Sequence, residues 1–275
     1  MDPKKRRRRG RKRKQKKTAS NPVALILAAV ILLSLLLLLT MEDGISLGLP
    51  EKLEENPLKP SDFQTADGYV TCTAVPTRRG VDVSQYQDRV DWQAVFDAGF
   101  DFAFVRIGYR GNTNGDLYPD PLANAHLAAA RAAGLDVGVY FYSQATSPEE
   151  AAQEAAWCLT FLDGMALELP VVYDWEWVSP EARTGDMDRK TLTDCAQAFC
   201  EAIEGGGYQP MIYFNTHVGE DLLDLKELQA YPFWFAQYRD ALDYPHKVDF
   251  WQYTEEGTVP GIRGYVDINL MFQYE

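Results

Sequence analysis

The chain has 275 residues and a formal net charge of −13, from 27 basic and 40 acidic side chains. Residues 4–17 hold 12 of the basic side chains, whereas residues 41–275 hold 15 basic and 39 acidic ones, a net charge of −24. Because residues 41–275 are this acidic, they repel the phosphates of nucleic acids, and we expect no nucleic-acid binding. The three histidines and four cysteines form no zinc-binding spacing, so we expect no metal and no cofactor.

The N-terminal segments predict a membrane anchor. Residues 1–21 form a polybasic tail, and residues 22–41 form an uncharged, apolar run. A helix of that length spans roughly 30 Å, which matches the hydrocarbon core of a bilayer. Because the basic flank comes first, the positive-inside rule predicts a single-pass cell-membrane protein. Its N-terminus would be cytoplasmic, its body extracytoplasmic, and its anchor would contact membrane lipids.

Two other interpretations of this N-terminus are weaker. A cleaved signal peptide would have a shorter apolar core, followed closely by a small-x-small cleavage site. The basic tail alone resembles a nuclear-localisation or nucleic-acid patch, but its position against the apolar run favours a topology determinant at anionic lipids. Whether the anchor is ever cleaved stays open.

The remainder of the chain divides at residue 79. Residues 42–78 carry four prolines and no sustained periodicity, which predicts an extracytoplasmic stalk or linker. Residues 79–275 show regular apolar blocks and are long enough for one well-packed domain, which we expect to be monomeric. A disulfide between Cys158 and Cys195 is conceivable outside the cell, although buried free thiols are the simpler expectation.

Strand-length apolar runs alternate with helical segments along this domain. Strands are predicted at residues 80–86, 100–110, 135–144, 169–177, 208–215, 233–238, 247–253 and 265–272. Asp91 and Ser147 are helix N-cap candidates, with Glu150 placed to complete a capping box after Ser147. Further helices are predicted over residues 121–134, ending at Gly134, over 188–207, and over the short segment 226–231.

These units predict the fold. Repeated β–α units with short loops favour parallel strands, and about eight strands favour a closed barrel. A doubly wound open sheet shares the early pattern but fits the helix-poor final third less well. We therefore predict an α/β fold: an irregular (β/α) TIM-like barrel with few helices in its C-terminal third, preceded by one transmembrane helix. The active site of such barrels lies at the carboxyl ends of the strands.

The stretch VVYDWEW, residues 171–177, places two acids two residues apart within an apolar strand. Strand alternation predicts that Asp174 and Glu176 face the same side, while Trp175 and Trp177 turn away to pack. Two carboxyl groups so placed repel each other when ionised, which raises the pKa of at least one of them. One acid then stays protonated beside an ionised one, as glycoside hydrolysis requires. Alternatively, both acids begin the next loop and pair with Arg183 or solvent.

Other polar and aromatic residues near predicted strand ends would lie at the same end of the barrel as Asp174 and Glu176. They are Asp82, Arg106, Tyr142, Asp267, Trp234, Tyr238, Trp251 and Tyr253. Their aromatic content favours a sugar, because pyranose faces stack on rings. The main rival is a divalent cation held by the four acids, since hard cations take carboxylate oxygens. The sequence motifs of nucleotide-binding loops, serine hydrolases and zinc proteases do not occur.

A family resemblance follows from motifs in order along the chain. They are GVDVSQYQ, WQAV, FAFVRIGYRG, GVYFYSQA, PVVYDWEW, YFN, FWFAQY, FWQY and VDINL. Across residues 79–275 the chain resembles glycoside hydrolase family 25, the Chalaropsis-type lysozymes. The resemblance implies an irregular barrel with few helices. It also implies hydrolysis of the β-1,4 bond between N-acetylmuramic acid and N-acetylglucosamine in bacterial peptidoglycan.

The resemblance also implies residue roles. Glu176 matches the general acid/base, and Asp174 matches the second carboxylate, which acts as a nucleophile or assists the acetamido group of the substrate. Asp82 and Asp267 match the other two acids of the groove, and Tyr142 matches a groove aromatic. We further expect the following side chains to contact substrate: Arg106, Trp234, Tyr238 and Trp251.

The membrane anchor takes the place of wall-binding repeats, which favours local cell-wall remodelling. Two alternatives stay open: a catalytically silent glycan-binding domain, and a hydrolase of another exported polysaccharide.

Overall fold

The structure, a computed structural model, describes residues 52–274. The predicted tail at residues 1–21 and the predicted span at residues 22–41 lie outside this range. Within it, none of the helices combines the length and apolar character needed to cross a bilayer.

Eleven strands and four α-helices form the described part of the chain. The strands are β1 (Phe63–Ala66), β2 (Tyr69–Cys72), β3 (Thr77–Val83), β4 (Phe102–Arg110), β5 (Leu117–Pro119), β6 (Asp136–Ser143), β7 (Val171–Trp175), β8 (Pro210–Asn215), β9 (Phe233–Ala236), β10 (Phe250–Gly257) and β11 (Val266–Phe272). The helices are α1 (Trp92–Asp97), α2 (Ala123–Ala133), α3 (Pro148–Leu162) and α4 (Arg189–Gly205).

Eight of these strands close into a barrel, which confirms the predicted architecture. From β3 the order runs through β4, β6, β7, β8, β9 and β10 with every neighbour parallel. The last strand, β11, lies antiparallel between β10 and β3 and completes the ring. The short β5 pairs antiparallel with the carboxyl end of β4. The expectation of parallel strands throughout is therefore wrong for β11.

Two apolar layers hold the barrel. The larger one lies between the sheet and the helices, and the smaller one fills the barrel interior. Phe104 stacks on Trp234 in that interior, with ring centroids 4.7 Å apart, and Phe250 meets Phe104 edge to face. Each residue of β7 is buried, as expected of a parallel strand covered on both faces. The packed interior closes the barrel beneath its mouth.

Local capping chemistry sets where the helices begin and end. The Asp91 carboxylate accepts from the backbone N–H of Ala94 at the start of α1, and α2 ends at Gly134 with φ of 98°. The Ser147 hydroxyl accepts from the N–H of Glu150 at the start of α3. The Glu150 carboxylate does not complete the predicted capping box; it accepts from Thr146 instead.

The C-terminal third departs further from the helical prediction. Residues 226–231 form successive turns rather than a short helix. A single π-helical turn, Val218–Leu222, follows β8. Strands β9, β10 and β11 are joined without an α-helix between them. A segment of six residues has little helical stability of its own, so its tertiary contacts decide its conformation.

The described part of the predicted linker is folded against the barrel. The hairpin β1–β2 brings Phe63 edge to face with Trp251, at 5.1 Å between ring centroids, and buries Val70. Leu58 is also buried, and Glu54 pairs with Lys247 at 3.0 Å. Residues 52–78 therefore belong to the same compact unit as the barrel, so the domain begins before the predicted boundary at residue 79.

All four cysteines lie in the described range as free thiols, so the disulfide between Cys158 and Cys195 is not formed.

Candidate active site

A cleft of about 280 Å³ opens at the carboxyl ends of the parallel barrel strands. The fold therefore places the mouth where the sequence predicts it. The predicted site residues that line the cleft are Asp82, Arg106, Tyr142, Asp174, Glu176, Trp234, Tyr238 and Asp267. The lining residues that sequence reasoning missed are Ser84, Tyr86, Gln87, Tyr140, Tyr213, Gln252 and Glu255.

Asp267 reaches the cleft because β11 runs antiparallel to its neighbours. It lies near the start of its strand and pairs directly with Asp82, near the end of β3. The first residues of β11 and the last residues of β3 therefore meet at the same rim. A parallel final strand would have carried Asp267 to the opposite rim.

The two acids of the VVYDWEW stretch both line the cleft. Asp174 lies within β7 between Tyr142 and Tyr213 of the neighbouring strands, and it is 5% exposed. Glu176 follows the end of β7 and is half-buried. Arg183 pairs with Glu150 at 2.7 Å, so the alternative in which the two acids pair with Arg183 is wrong.

The two tryptophans of this stretch have different environments. Trp175 is 1% exposed in the core, as predicted. Trp177 is 40% exposed and lies edge to face with His217, so its predicted burial is wrong. Strand alternation holds only inside the strand, and β7 ends at Trp175.

Burial raises the pKa of each of the four acids, and neighbouring negative charges raise it further for Asp174, Glu176 and Asp267. For Asp174 burial acts first and the charge of Glu176 second, and its pKa lies well above the usual range. Burial, then the charges of Asp82 and Glu255, raise the pKa of Glu176. Burial, the charge of Asp82 and the hydrogen bond donated to Asp82 raise the pKa of Asp267 to about 9. The cleft therefore holds protonated carboxyl groups at neutral pH.

Asp82 is the acid that the protein surrounds with hydrogen-bond donors. Burial raises its pKa, but donors from Asn269, Gln252 and Asp267 oppose this rise. The Asn269 and Gln252 side-chain amides donate to Oδ2 at 2.8 and 2.9 Å. Trp234 in turn donates from its indole Nε1 to Asn269 Oδ1 at 2.9 Å. These contacts favour an ionised Asp82 beside a protonated Asp267.

The amides that bind Asp82 could have been found from strand parity. Asn269 is two residues from Asp267 on β11, so both side chains point into the barrel. On β10, Gln252 points inward between two outward aromatics, Trp251 and Tyr253. One of these outward aromatics, Trp251, is among the predicted sugar contacts.

The structure separates the predicted aromatic contacts. Tyr142 and the 49% exposed Tyr238 line the cleft, and Trp234 lies at its floor with 2% exposure. Trp251 is fully buried behind the sheet and donates to the carbonyl of Gln237 at 2.9 Å. Its predicted contact with substrate is wrong, because no sugar in the cleft can reach it.

Arg106 is the one basic side chain among the cleft-lining residues of the described range. Its Nε donates to Asp120 Oδ2 at 3.0 Å. Its Nη2 lies 3.0 Å from the same oxygen without being aligned to donate to it. Asp120 also accepts from the backbone N–H groups of Gln85 and Leu122. Asp120 follows the short β5, whose pairing with β4 was not predicted from sequence.

No three histidine, cysteine or acidic side chains within residues 52–274 are grouped so that they could hold a metal ion. The alternative of a divalent cation held by the four acids therefore has no ligand cluster to support it.

An acid pair at the mouth of an irregular barrel, under a rim of tyrosines, is the arrangement of a glycoside hydrolase. The sequence model described as Glycosyl hydrolases family 25 matches residues 81–262. The chain belongs to this family.

Known relatives agree with this assignment. The uncharacterised protein YegX of Escherichia coli O157:H7 is 30% identical over 213 residues, covering 70% of this chain and 69% of YegX. The autolytic lysozyme of Clostridium acetobutylicum is 25% identical over 194 residues, covering 70% of this chain and 55% of that enzyme.

Solved structures share the fold. A family 25 glycosyl hydrolase from Bacillus anthracis has a TM-score of 0.62 at 20% identity, covering 78% of this chain and 94% of that one. The autolysin LytC of Streptococcus pneumoniae, solved with a synthetic peptidoglycan ligand, has a TM-score of 0.64 at 23% identity, covering 76% of this chain. The present chain spans about half of LytC, 52% of its length.

Proposed function

We propose that this glycoside hydrolase is a muramidase, which cleaves the β-1,4 bond between N-acetylmuramic acid and N-acetylglucosamine in bacterial peptidoglycan. The observation that carries the proposal is the pair Asp174 and Glu176, brought together with Asp82 and Asp267 in one cleft. The names of the relatives support it: an autolytic lysozyme, and Lysozyme M1 of Streptomyces globisporus. LytC was solved with a peptidoglycan ligand.

Glu176 is the general acid in this mechanism. Burial and the negative charges of Asp82 and Glu255 raise its pKa, which favours the protonated form that gives a proton to the departing sugar oxygen. Such proton transfer contributes a factor of about 10²–10⁴ to the rate. Glu176 then takes a proton from the water that completes hydrolysis.

Asp174 becomes the negative partner when substrate binds. Its Oδ1 is buried and accepts no hydrogen bond from the described residues. A substrate acetamido N–H at that oxygen would provide the missing donor and stabilise the carboxylate. Asp174 thereby stabilises the oxocarbenium-like centre, either by attacking it or by positioning the acetamido group.

Asp82 and Asp267 support this pair from the opposite wall of the cleft. The charge of Asp82 raises the pKa of both Glu176 and Asp174. Asp267 donates to Asp82 and so holds that carboxylate in place. Tyr142 and Tyr238 at the rim provide ring faces for the sugar.

We also propose a location for the enzyme. Residues 1–21 and 22–41 would anchor the enzyme in the cell membrane, with the barrel on the outer side. The body, at a net charge of −24 over residues 41–275, gains no long-range attraction to an anionic wall. Anchoring would supply a high local concentration at the wall instead, which suits local remodelling. Recovery of the intact, active enzyme from the medium of wild-type cells would contradict this part.

Glu176→Gln in the full chain tests the reaction. We expect muropeptide release to fall at least about 100-fold, while the variant keeps its melting temperature and still binds peptidoglycan. Near-normal turnover would overturn the role of Glu176. A wild-type protein that binds peptidoglycan without cleaving it would indicate a silent binding domain. Cleavage of chitin-type polymers, which lack muramic acid, would indicate a different polysaccharide hydrolase.

A further inference from the structure

A second groove, of about 390 Å³, opens beside the catalytic cleft. The two share Tyr86, Arg106 and Tyr142, so they are continuous. We call this second groove the side groove; its remaining lining residues are Tyr109, Arg110, Gly111 and Asn112. A substrate that lies in the cleft can therefore extend a branch into the side groove without leaving the surface.

The cleft and the side groove differ in charge. Five acids line the cleft: Asp82, Asp174, Glu176, Glu255 and Asp267. None of the side-groove residues is acidic, and two are arginines. A negatively charged group of the substrate is repelled by the charges of Asp82 and Glu255 in the cleft and is better accommodated on the side of Arg106.

Only one of the two arginines is available to a ligand. Arg110 is 4% exposed, and its three nitrogens are bound by Glu154, the carbonyl of Gly115 and the carbonyl of Glu150. Arg106 uses Nε toward Asp120, while its Nη2 has no hydrogen-bond partner among the described residues. The available guanidinium edge therefore belongs to Arg106.

Two tyrosine rings lie against this edge. The Arg106 guanidinium lies 5.2 Å from the ring centre of Tyr86 and 5.4 Å from that of Tyr109. Tyr109 is itself stacked on Tyr118, at 5.2 Å between centroids. A guanidinium placed between two rings loses little further entropy when a carboxylate binds it.

We propose that the side groove binds the carboxylate-bearing peptide attached to the muramic acid residue, and that Arg106 recognises a carboxylate of that peptide. This inference rests on the proposed muramidase function. The hydroxyl and acetamido groups of the glycan are neutral, so the negative charge of a peptide-bearing strand lies on its peptide arms. A peptide arm that extends past Arg106 places its carboxylates away from the acids of the cleft.

The test compares two substrates with the same glycan. One is peptidoglycan with free peptide carboxylates, and the other is the same material after carbodiimide amidation of those carboxylates. With the full chain, we expect kcat/KM to be about 10-fold higher on the free form. In Arg106→Gln, kcat/KM should be about the same on the two substrates. The matched control Arg239→Gln removes an exposed cation outside the side groove and should retain the preference.

A second pair of variants covers the case in which Arg106→Gln disturbs Asp120. Asn112 lines the side groove with an exposed side chain. Asn112→Asp should lower the preference two- to threefold and Asn112→Lys should raise it, with both effects weakened by salt. An unchanged preference in Arg106→Gln and in both Asn112 variants would overturn the inference. Absence of cleavage of either substrate by the wild type would instead overturn the proposed function itself.

Discussion

The side-chain amide of Gln144 donates a hydrogen bond of 2.9 Å to the backbone carbonyl of Glu176. Glu176 lies beyond the end of β7, where the ladder of the sheet no longer holds the backbone. The Oε1 of Gln144 accepts from the buried hydroxyl of Thr184 at 2.8 Å, which fixes the orientation of the amide. Gln144 thus positions the proposed general acid through its backbone.

Thr184→Val should therefore impair catalysis more than binding. The change leaves Gln144 Oε1 buried without a donor, at a cost of about 1–3 kcal/mol, and frees the amide to rotate. We expect kcat to fall about 10-fold with KM within about twofold, together with a shifted alkaline limb of the pH–rate profile. Steady-state kinetics over pH measures each of these.

Thr184→Ser is the matched control. Because serine keeps the hydroxyl, this variant should retain the wild-type kcat and pH profile. Equal losses in the serine and valine variants, or a valine variant with altered KM alone, would argue against positioning through Gln144.

Asp267 makes stability depend on pH. Its pKa is raised to about 9 in the folded chain, whereas an aspartate in an unfolded chain has a pKa of about 3.9. Between these values the folded state holds a proton that the unfolded state has released, so rising pH favours unfolding. Asp267→Asn removes this titration and keeps a donor toward Asp82. Its advantage in unfolding free energy should vanish near pH 4 and grow above that pH by up to about 1.4 kcal/mol for each pH unit.

Urea unfolding at several pH values measures this difference. Asp240→Asn, at an exposed position, is the control and should follow the wild type at every pH. An Asp267→Asn variant whose stability runs parallel to that of the wild type would show that Asp267 titrates normally.

Glu255 sets part of the proton affinity of Glu176 from the rim of the cleft. Its negative charge contributes to the raised pKa of Glu176, after burial and Asp82. Glu255→Gln removes that charge, so Glu176 should lose its proton at lower pH. We expect the alkaline limb of kcat/KM to move down by a few tenths of a pH unit, and less at high salt.

Glu256→Gln is the neighbouring control, because Glu256 is exposed and does not line the cleft. A limb that moves equally in both variants would reflect the net charge of the surface rather than contact with Glu176.

Local chemistry made much of the fold predictable. The caps at Asp91 and Ser147 depend on a few adjacent residues, and the buried β7 depends on a continuous apolar run. The cleft acids Asp82 and Asp174 could be found because parallel strands must end at one rim. These features follow from interactions between residues close in sequence or from a general rule of barrels.

Features set by distant partners were not predictable in the same way. Apolar alternation does not encode strand direction, so the antiparallel β11 that delivers Asp267 could not be read from the sequence. Alternation also does not say which face of a strand is covered, and Trp251 packs under Phe63 of the β1–β2 hairpin. Asp120 joins Arg106 only because β5 folds back on β4.

The cysteines give a prediction about reactivity. Cys158, Cys195 and Cys200 are fully buried, and burial raises the pKa of Cys195 to about 12 and the pKa of the other two well above the usual value of a thiol. The thiolate is the reactive form, so these three should resist a thiol reagent in the folded protein. Cys72 is half-buried in β2 and should react alone. Of the four thiols of the chain, a colorimetric titration should detect about one before denaturation and all of them after it.

Cys72→Ser should abolish the reaction of the folded protein, whereas Cys158→Ser should leave it unchanged. Because no disulfide is formed, a reducing agent should alter neither the thermal unfolding midpoint nor the activity. Loss of two titratable thiols from the denatured protein, restored by reduction, would show that a disulfide forms after all.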